Sequence, residues 1–362
     1  MNAPITQDKV LLRPSDIQPV CPDWEVIGVF NPGAARYKDE IMLVVRVAEM
    51  PRTHDPEQLL SPRAIWPNGE IKWTLDSFDP AGADTHDPRF FRLPDGRVRL
   101  RYISHLRLVR LSSDGSQVKE VLTIPDLLPS DATEEFGVED ARITQIDDTY
   151  YITYVAVSRQ MGVATALITT HDFKTFERHG IIFPTENKDV VLLPEKWDGY
   201  YVAYHRPVSD QWFDAPSVET ALSPDSVFWG KNKFLFAPRP GSWDSVKVGA
   251  AAPPVRLAQG WLFTYHGVSP PTSQSPVGRY CVGLALMDHE DPLHLLARST
   301  EPFICPDRPY EQEGFAPNII FPTGALISAD QQSLILFNGA ADEVVSQLII
   351  PIQSILDHLG VN

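Results

Sequence analysis

Two adjacent carboxylates and an arginine, in Gly137-Val138-Glu139-Asp140-Ala141-Arg142, stand directly ahead of an alternating strand running from Ile143 to Val157. A regular strand points successive side chains to opposite faces, so Glu139 and Asp140 are expected to face different sides. One carboxyl is then free to serve as a reactive acid while its neighbour and Arg142 set its environment. A second group offers complementary chemistry: Arg206 in His205-Arg206-Pro207, Lys247 in Asp244-Ser245-Val246-Lys247, and His266 in Tyr265-His266-Gly267. Arg206 and His266 end aromatic-rich strands and Lys247 opens another, which brings all three to one rim. Three such donors make an anion site, with arginine gripping oxyanions through two parallel hydrogen bonds. The alternative is that Arg206 and Lys247 neutralise Asp189 and Asp244 in structural ion pairs. The residues alone leave both readings open.

The elements that position these groups repeat along the chain. Five segments share a plan of polar turn, short strand, Gly/Asp turn and aromatic strand: Asp87 to Ser104, Asp140 to Ser158, Asp189 to Pro207, Pro253 to Ser269, and Pro317 to Asp342. A sixth, Asn31 to Glu49, follows it nearly as well. Their starts lie roughly 50 to 65 residues apart, the period of a four-stranded propeller blade. The 33 prolines are scattered and forbid long helices. Only Gln353 to Leu359, and to a lesser degree Asp126 to Glu135, could hold short ones. The fold class is therefore all-β, a single domain over residues 1–362, with a β-sandwich as the alternative. If first and last segments share a blade that closes the ring, six candidate units reduce to five blades. The repeat starts Asn31, Asp87, Asp140, Asp189 and Asn318 would line the axis as a polar funnel able to hydrogen-bond sugar hydroxyls. Taken singly, each is equally a turn former that caps its own backbone.

Composition limits the partners. With 31 basic against 47 acidic residues and a net charge of −16, the chain repels nucleic acid and anionic membranes. Any anion must bind at a local basic cluster working against that field. No apolar run approaches the ~20 residues of a membrane span, and Met1 to Lys9 has no apolar signal core. Cys21, Cys281 and Cys305 are an odd three without a Cys-x-x-Cys pair, read as packing or surface thiols in a reducing, cytoplasmic setting. No P-loop, dinucleotide fingerprint, nucleophile elbow or zinc motif occurs. Trp212 with Phe213 offers a sugar-stacking platform, whereas Trp261 in an alternating strand reads as core.

Several motifs occur in a recognisable order: Phe30-Asn31-Pro32-Gly33-Ala34, Arg46-Val47-Ala48-Glu49, Gly137 to Arg142, Asn187-Lys188-Asp189, His205-Arg206-Pro207, Lys247-Val248-Gly249, Gly260-Trp261-Leu262, Tyr265-His266-Gly267-Val268, and Gly339-Ala340-Ala341-Asp342. Over nearly its whole length the chain resembles glycoside hydrolase family 130, the β-mannoside phosphorylases. That resemblance implies a five-bladed β-propeller and inverting phosphorolysis of β-mannosides to α-mannose 1-phosphate. It implies Asp140 as the sole proton donor, acting through the mannosyl 3-hydroxyl, and Arg206, Lys247 and His266 as phosphate ligands. Lys188 or Asp189 would add contacts there, and Asn31, Arg46, Arg52 and Asp342 would hold the sugar; Asp87 and Tyr265 are further substrate-binding candidates. Ala141 departs from the family's usual proline.

The chemistry is consistent with that assignment. An inverting hydrolase needs a second carboxylate ~6.5–9.5 Å away to activate water, whereas phosphate is already a nucleophile and needs placement and charge neutralisation. Asp140 should hold its proton near neutrality, raised by Glu139 and burial against the opposing pull of Arg142. No metal or cofactor is expected, inorganic phosphate being a co-substrate, and the partners are small mannosides, with a homo-oligomer possible. The Arg-Val-Ala-Glu and Asn-Lys-Asp segments look most like members acting on β-1,2-mannobiose or oligomannosides. β-1,4-Manno-oligosaccharides are the next candidate. The rivals are a β-mannosidase using a second carboxylate such as Glu195 or Glu219, and a non-catalytic sugar-binding propeller.

Overall fold

The computed structural model describes residues 4–53, 57–184, 186–208 and 215–361. Strand β1 (Gln7–Leu12) comes first in the chain but last in the ring. The first blade starts with β2 (Trp24–Tyr37) and β3 (Glu40–Pro51). Two hairpins follow as insertions, β4 (Leu59–Ile65) with β5 (Lys72–Phe78) and β6 (Phe90–Arg92) with β7 (Val98–Leu100). β8 (Ile103–Leu111) and β9 (Val118–Leu122) complete that blade. The second holds β10 (Val138–Ile146), β11 (Thr149–Ser158), β12 (Gly162–Thr170) and β13 (Phe176–Phe183). The third holds β14 (Asn187–Leu192), β15 (Tyr201–Pro207), β16 (Val218–Ser223) and β17 (Gly230–Phe236). The fourth holds β18 (Lys247–Ala250), β19 (Val255–Leu257), β20 (Gly260–Val268), β21 (Tyr280–Met287) and β22 (Leu295–Arg298). The fifth holds β23 (Ile320–Ile327), β24 (Ser333–Ala340) and β25 (Val344–Pro351), with β1 antiparallel to β25 as its outer strand.

The result is a five-bladed β-propeller closed by both ends of the chain. The way six candidate units become five blades differs from the expectation. The closing strand β1 precedes the first unit, while the Asn31 and Asp87 units fall within one blade, the latter as the β6–β7 insertion leading into β8. The helix expected near the C-terminus forms at Ile352–Leu359, whereas the Asp126–Glu135 stretch holds only two single 3-10 turns.

Each blade is apolar on both faces because it is packed between two others. Along β14, Val190 and Leu192 join the core shared with the second blade, while Val191, with Leu193 just beyond the strand, joins the core shared with the fourth. Equivalent clusters lie between the first and second, fourth and fifth, and fifth and first blades, so the core is a ring of five wedges. Trp261 is buried in one of them, as expected. Truncating a residue such as Leu336 or Val191, fully buried in such a wedge, would cost about 2–5 kcal/mol for Leu and somewhat less for Val.

Cys281 and Cys305 are joined in a disulfide, and Cys21 is the free cysteine. This corrects the reading of three unpaired thiols. The pairing joins β21 to a loop 24 residues on, a proximity that sequence spacing could not reveal, and it withdraws the cysteine-based argument for a reducing compartment. No helix among the described residues is long and apolar enough to cross a membrane.

Candidate active site

The strands that open the first three blades share an irregularity that builds the site. Pairing slips between Phe30 and Gly33 in β2, between Glu139 and Arg142 in β10, and between Lys188 and Val191 in β14. At these bulges Asn31, Asp140 and Asp189 adopt φ values of 50°, 49° and 58°. Asn and Asp tolerate that left-handed conformation better than most side chains, so the backbone and the chemistry ask for the same residue types. Gly137, at φ 109°, lets β10 begin against β8, where a Cβ would stand 2.5 Å from the Ser104 carbonyl oxygen.

The bulge overturns the expectation that Glu139 and Asp140 face apart. Both line one cavity of about 390 Å³, since the slip interrupts strand alternation between them. Asn31, Arg46, Lys188, Asp189, Arg206, Lys247, His266 and Asp342 line the same cavity, so the structure brings most of the candidates together. Arg52, Asp87 and Tyr265 do not line it. Arg52 is exposed and donates from Nε to the Trp24 carbonyl at 3.1 Å. Tyr265 is fully buried, with its hydroxyl accepting from Arg298 Nε at 3.1 Å, because its strand position faces the core between blades. Asp87 stands behind Arg89, a cavity residue that the sequence reading missed. Tyr102, Tyr280, Phe90 and Phe321 were missed as well, as were Val98, Leu100, Val157 and Val163 of the apolar wall. Trp212 and Phe213 lie outside the described residues.

One side of the cavity is a carboxylate cluster organised by Arg46. Its Nη1 donates to Asp140 Oδ1 at 2.9 Å, its Nη2 to Glu139 at 2.7 Å and to the Tyr102 hydroxyl at 3.0 Å, and its Nε to Ser104 at 2.9 Å. Asn31 Nδ2 donates to the same Asp140 oxygen at 2.8 Å. Oδ1 thus carries both contacts, and Oδ2 has no partner among the described residues. Arg142 Nη1 donates to the Asp140 backbone carbonyl at 2.8 Å, pinning the bulge, while Nη2 reaches Asp189 at 3.0 Å. Burial pushes the Asp140 carboxyl up, but Arg46, Arg142 and Asn31 outweigh it and hold the group below the ordinary range. This corrects the expectation of a raised value in the unliganded site. The deciding partner, Arg46, comes from another blade and was not counted against Asp140. Burial instead raises Glu139, against the pull of Arg46, and carries Asp342 up to about 6.

The other side gathers Arg206, Lys247 and His266 around Asp189. Asp189 is ion-paired with Arg206 and with Arg142, and the neutral His266 ring has its Nε2 3.6 Å away. Burial raises the Asp189 carboxyl, but these cations more than reverse it and hold it well below the usual range. Burial keeps His266 neutral, and Arg206 Nη1 lies 2.9 Å from its Nε2. With Nε2 accepting from arginine, the ring proton belongs on Nδ1, which is buried without a partner among the described residues. Lys247 Nζ sits 5.2 Å over the Tyr280 ring, its pKa pushed down to about 8 by burial and by Arg206. The two readings of Arg206 are both partly right: it pairs with Asp189, as the structural alternative held, and still faces the cavity. Asp244, in contrast, pairs with Arg239 and Arg298 rather than with Lys247.

The candidates for a second, water-activating carboxylate lie elsewhere. Glu195 is paired with Arg256 at 3.1 Å, and neither Glu195 nor Glu219 lines the cavity. Chemically, the arrangement juxtaposes an acid with one open oxygen and a pocket for an oxyanion.

Comparison with known proteins gives a consistent picture. The model of glycoside hydrolase family 130, described as β-1,4-mannooligosaccharide phosphorylase, matches residues 97–360. The chain is 38% identical to a β-1,2-mannobiose phosphorylase of Listeria innocua, over 100% of this chain and 99% of that protein. It is 32% identical to a 1,2-β-oligomannan phosphorylase of Thermoanaerobacter, over 70% of this chain and 81% of the relative. The structure of the Listeria enzyme in complex with β-1,2-mannobiose superposes with a TM-score of 0.88 over 97% of both chains.

Proposed function

The chain belongs to glycoside hydrolase family 130, and from that premise we propose that it is an inverting β-mannoside phosphorylase that cleaves β-1,2-linked mannobiose or short oligomannosides. Inorganic phosphate attacks the anomeric carbon, the glycosidic bond to the leaving oxygen breaks, and α-mannose 1-phosphate and a shortened acceptor result. The observation that carries this reading is one cavity holding Asp140 together with Arg206, Lys247 and His266. A hydrolase has no use for that anion-binding set, because water carries no charge to neutralise.

The roles we infer combine the mechanism expected of the family with the contacts that support it. Asn31 and Arg46 occupy Asp140 Oδ1 and leave Oδ2 to carry the transferred proton. That proton passes through the mannosyl 3-hydroxyl to the leaving oxygen. Arg46, Arg142 and Asn31 hold Asp140 ionised, and the negative charge of phosphate raises the carboxyl toward the form the reaction uses. Arg206, Lys247 and Lys188 neutralise the phosphate, and His266 Nδ1 is available as a neutral donor. Arg46 and Asp342 hold the sugar beside the scissile bond. Phosphate is a co-substrate, and the reaction calls for no metal or organic cofactor.

One assay tests the reading. β-1,2-Mannobiose is incubated with and without phosphate, and the products are resolved. Mannose 1-phosphate formed only when phosphate is present supports it. Free mannose released without phosphate would replace it with a mannosidase, and an unchanged sugar with a binding protein. Running β-1,4-mannobiose in parallel decides the linkage.

A further inference from the structure

The cavity holds a cation to which the roles above give no task. Arg89 lies just ahead of β6, in the hairpin inserted into the first blade, and faces the cavity. Asp87 grips it from behind, Oδ1 accepting from Nε at 3.0 Å and Oδ2 from Nη2 at 2.7 Å. This fork fixes the guanidinium plane and leaves Nη1 without a partner among the described residues. The charge of Arg89 is felt by Lys247 and Tyr280 on one side and by Glu139 and Asp342 on the other. It therefore stands at the junction between the anion-binding set and the carboxylate cluster. This crowding of cations is unfavourable, since Arg206 and Arg89 both press the largely buried Lys247 toward its neutral form. Like charges held together away from water are relieved by an anion of matching size.

We propose that Arg89 is a phosphate-binding residue, holding the co-substrate from the first blade while Arg206 holds it from the third. This inference rests on the phosphorylase reading and deepens it. Two guanidiniums from different blades restrict the rotation of a tetrahedral anion as well as its position, and so align one oxygen with the anomeric carbon. Asp87 is then a positioning residue that acts only through Arg89.

The test combines Arg89→Ala, Arg89→Lys and Asp87→Asn with titration calorimetry of inorganic phosphate alone and with initial rates of mannose 1-phosphate formation. In Arg89→Ala the Kd and KM for phosphate should rise about ten- to a hundredfold, the loss expected for one charge-assisted contact. The KM for β-1,2-mannobiose should stay within about threefold. Arg89→Lys should recover part of the loss, and Asp87→Asn should show a smaller shift in the same direction, which keeps the test usable if Arg89→Ala fails to fold. Phosphate affinity unchanged in these variants, or a loss that falls on mannobiose instead, overturns the assignment and leaves the phosphorylase reading standing. Wild-type protein that releases free mannose without phosphate defeats that reading instead, and the calorimetry still decides whether Arg89 binds phosphate.

Discussion

Replacing Gly249 with alanine should impair phosphate use far more than mannobiose use. Gly249 lies in β18 directly opposite His266 of β20. A Cβ there would stand 2.5 Å from Asp189 Oδ2, 2.5 Å from His266 Cε1 and 2.6 Å from Arg206 Nη1. Ordinary contact starts at 3.4 Å, so these groups, or the strand itself, must move by about 0.8–0.9 Å. None can move freely. Asp189 is held by Arg142, Arg206 is held by Asp189, and the His266 ring packs against Tyr280 and Phe321. Overpacking of this kind costs about 1–3 kcal/mol of stability. An ångström of misplacement at an aligned site costs up to about a hundredfold in rate. Initial rates of mannose 1-phosphate release, measured across phosphate concentration, should show the phosphate KM raised about ten- to a hundredfold. The KM for β-1,2-mannobiose should stay within about twofold. A variant with a lowered Tm but an unchanged phosphate KM would refute the reasoning, because the forced displacement would then have left phosphate recognition intact.

Other expectations follow from the same geometry. Asp140→Asn keeps an oxygen for Asn31 and Arg46 but removes the acid, so kcat should fall by at least about a thousandfold while calorimetry still detects mannobiose; a tenth of wild-type turnover would contradict the assigned role. Lys247, held at about 8, loses its charge above that pH, so kcat/KM for phosphate should decline there; a profile level to pH 9.5 would exclude its role as a phosphate cation. Asp342, raised to about 6 by burial, binds its proton more tightly folded than unfolded, so its contribution to stability falls as pH rises from about 4 to about 6. Asp342→Asn removes that penalty and should stabilise the protein at pH 7 by roughly 2 kcal/mol relative to pH 4, as read from urea unfolding at the two pH values; an equal effect at both would refute the burial argument. Thiol titration of denatured, unreduced protein should find one thiol per chain, that of Cys21. Cys281→Ser should cost about 3 kcal/mol if loop closure dominates, and three reactive thiols would rule out the pairing.

The repeat was legible because each blade must restate the same pattern of polar turn and apolar strand to fit between two neighbours. The meeting of Arg206, Lys247 and His266 in one cavity was legible because they sit at strand ends that ring geometry brings together. What escaped depended on contacts across blades or on local departures from regularity. Strand alternation misplaced Glu139 relative to Asp140, since nothing in Glu139-Asp140-Ala141 announces a bulge unless the Asx residues are read as left-handed positions. The Asp140 carboxyl was assigned the wrong direction in the free site because Arg46, 94 residues earlier, was not paired with it. Arg89 was passed over in favour of Asp87, although an Asp two residues ahead of an Arg on a turn is placed to support it. Arg52 was carried over from the family resemblance, and Tyr265 was named beside His266; neither ground says which face a side chain occupies.

Thr6, just ahead of β1, bonds to Ile349, 343 residues away, and this has a consequence for how the molecule comes into being. β1 is made long before β25, so it must wait unpaired while the intervening residues are translated. Closing so long a loop is slow rather than prohibitively unfavourable. Asp342 sits in the turn between β24 and β25, so the cavity it lines should be completed in one late step, when β1 closes the ring on β25.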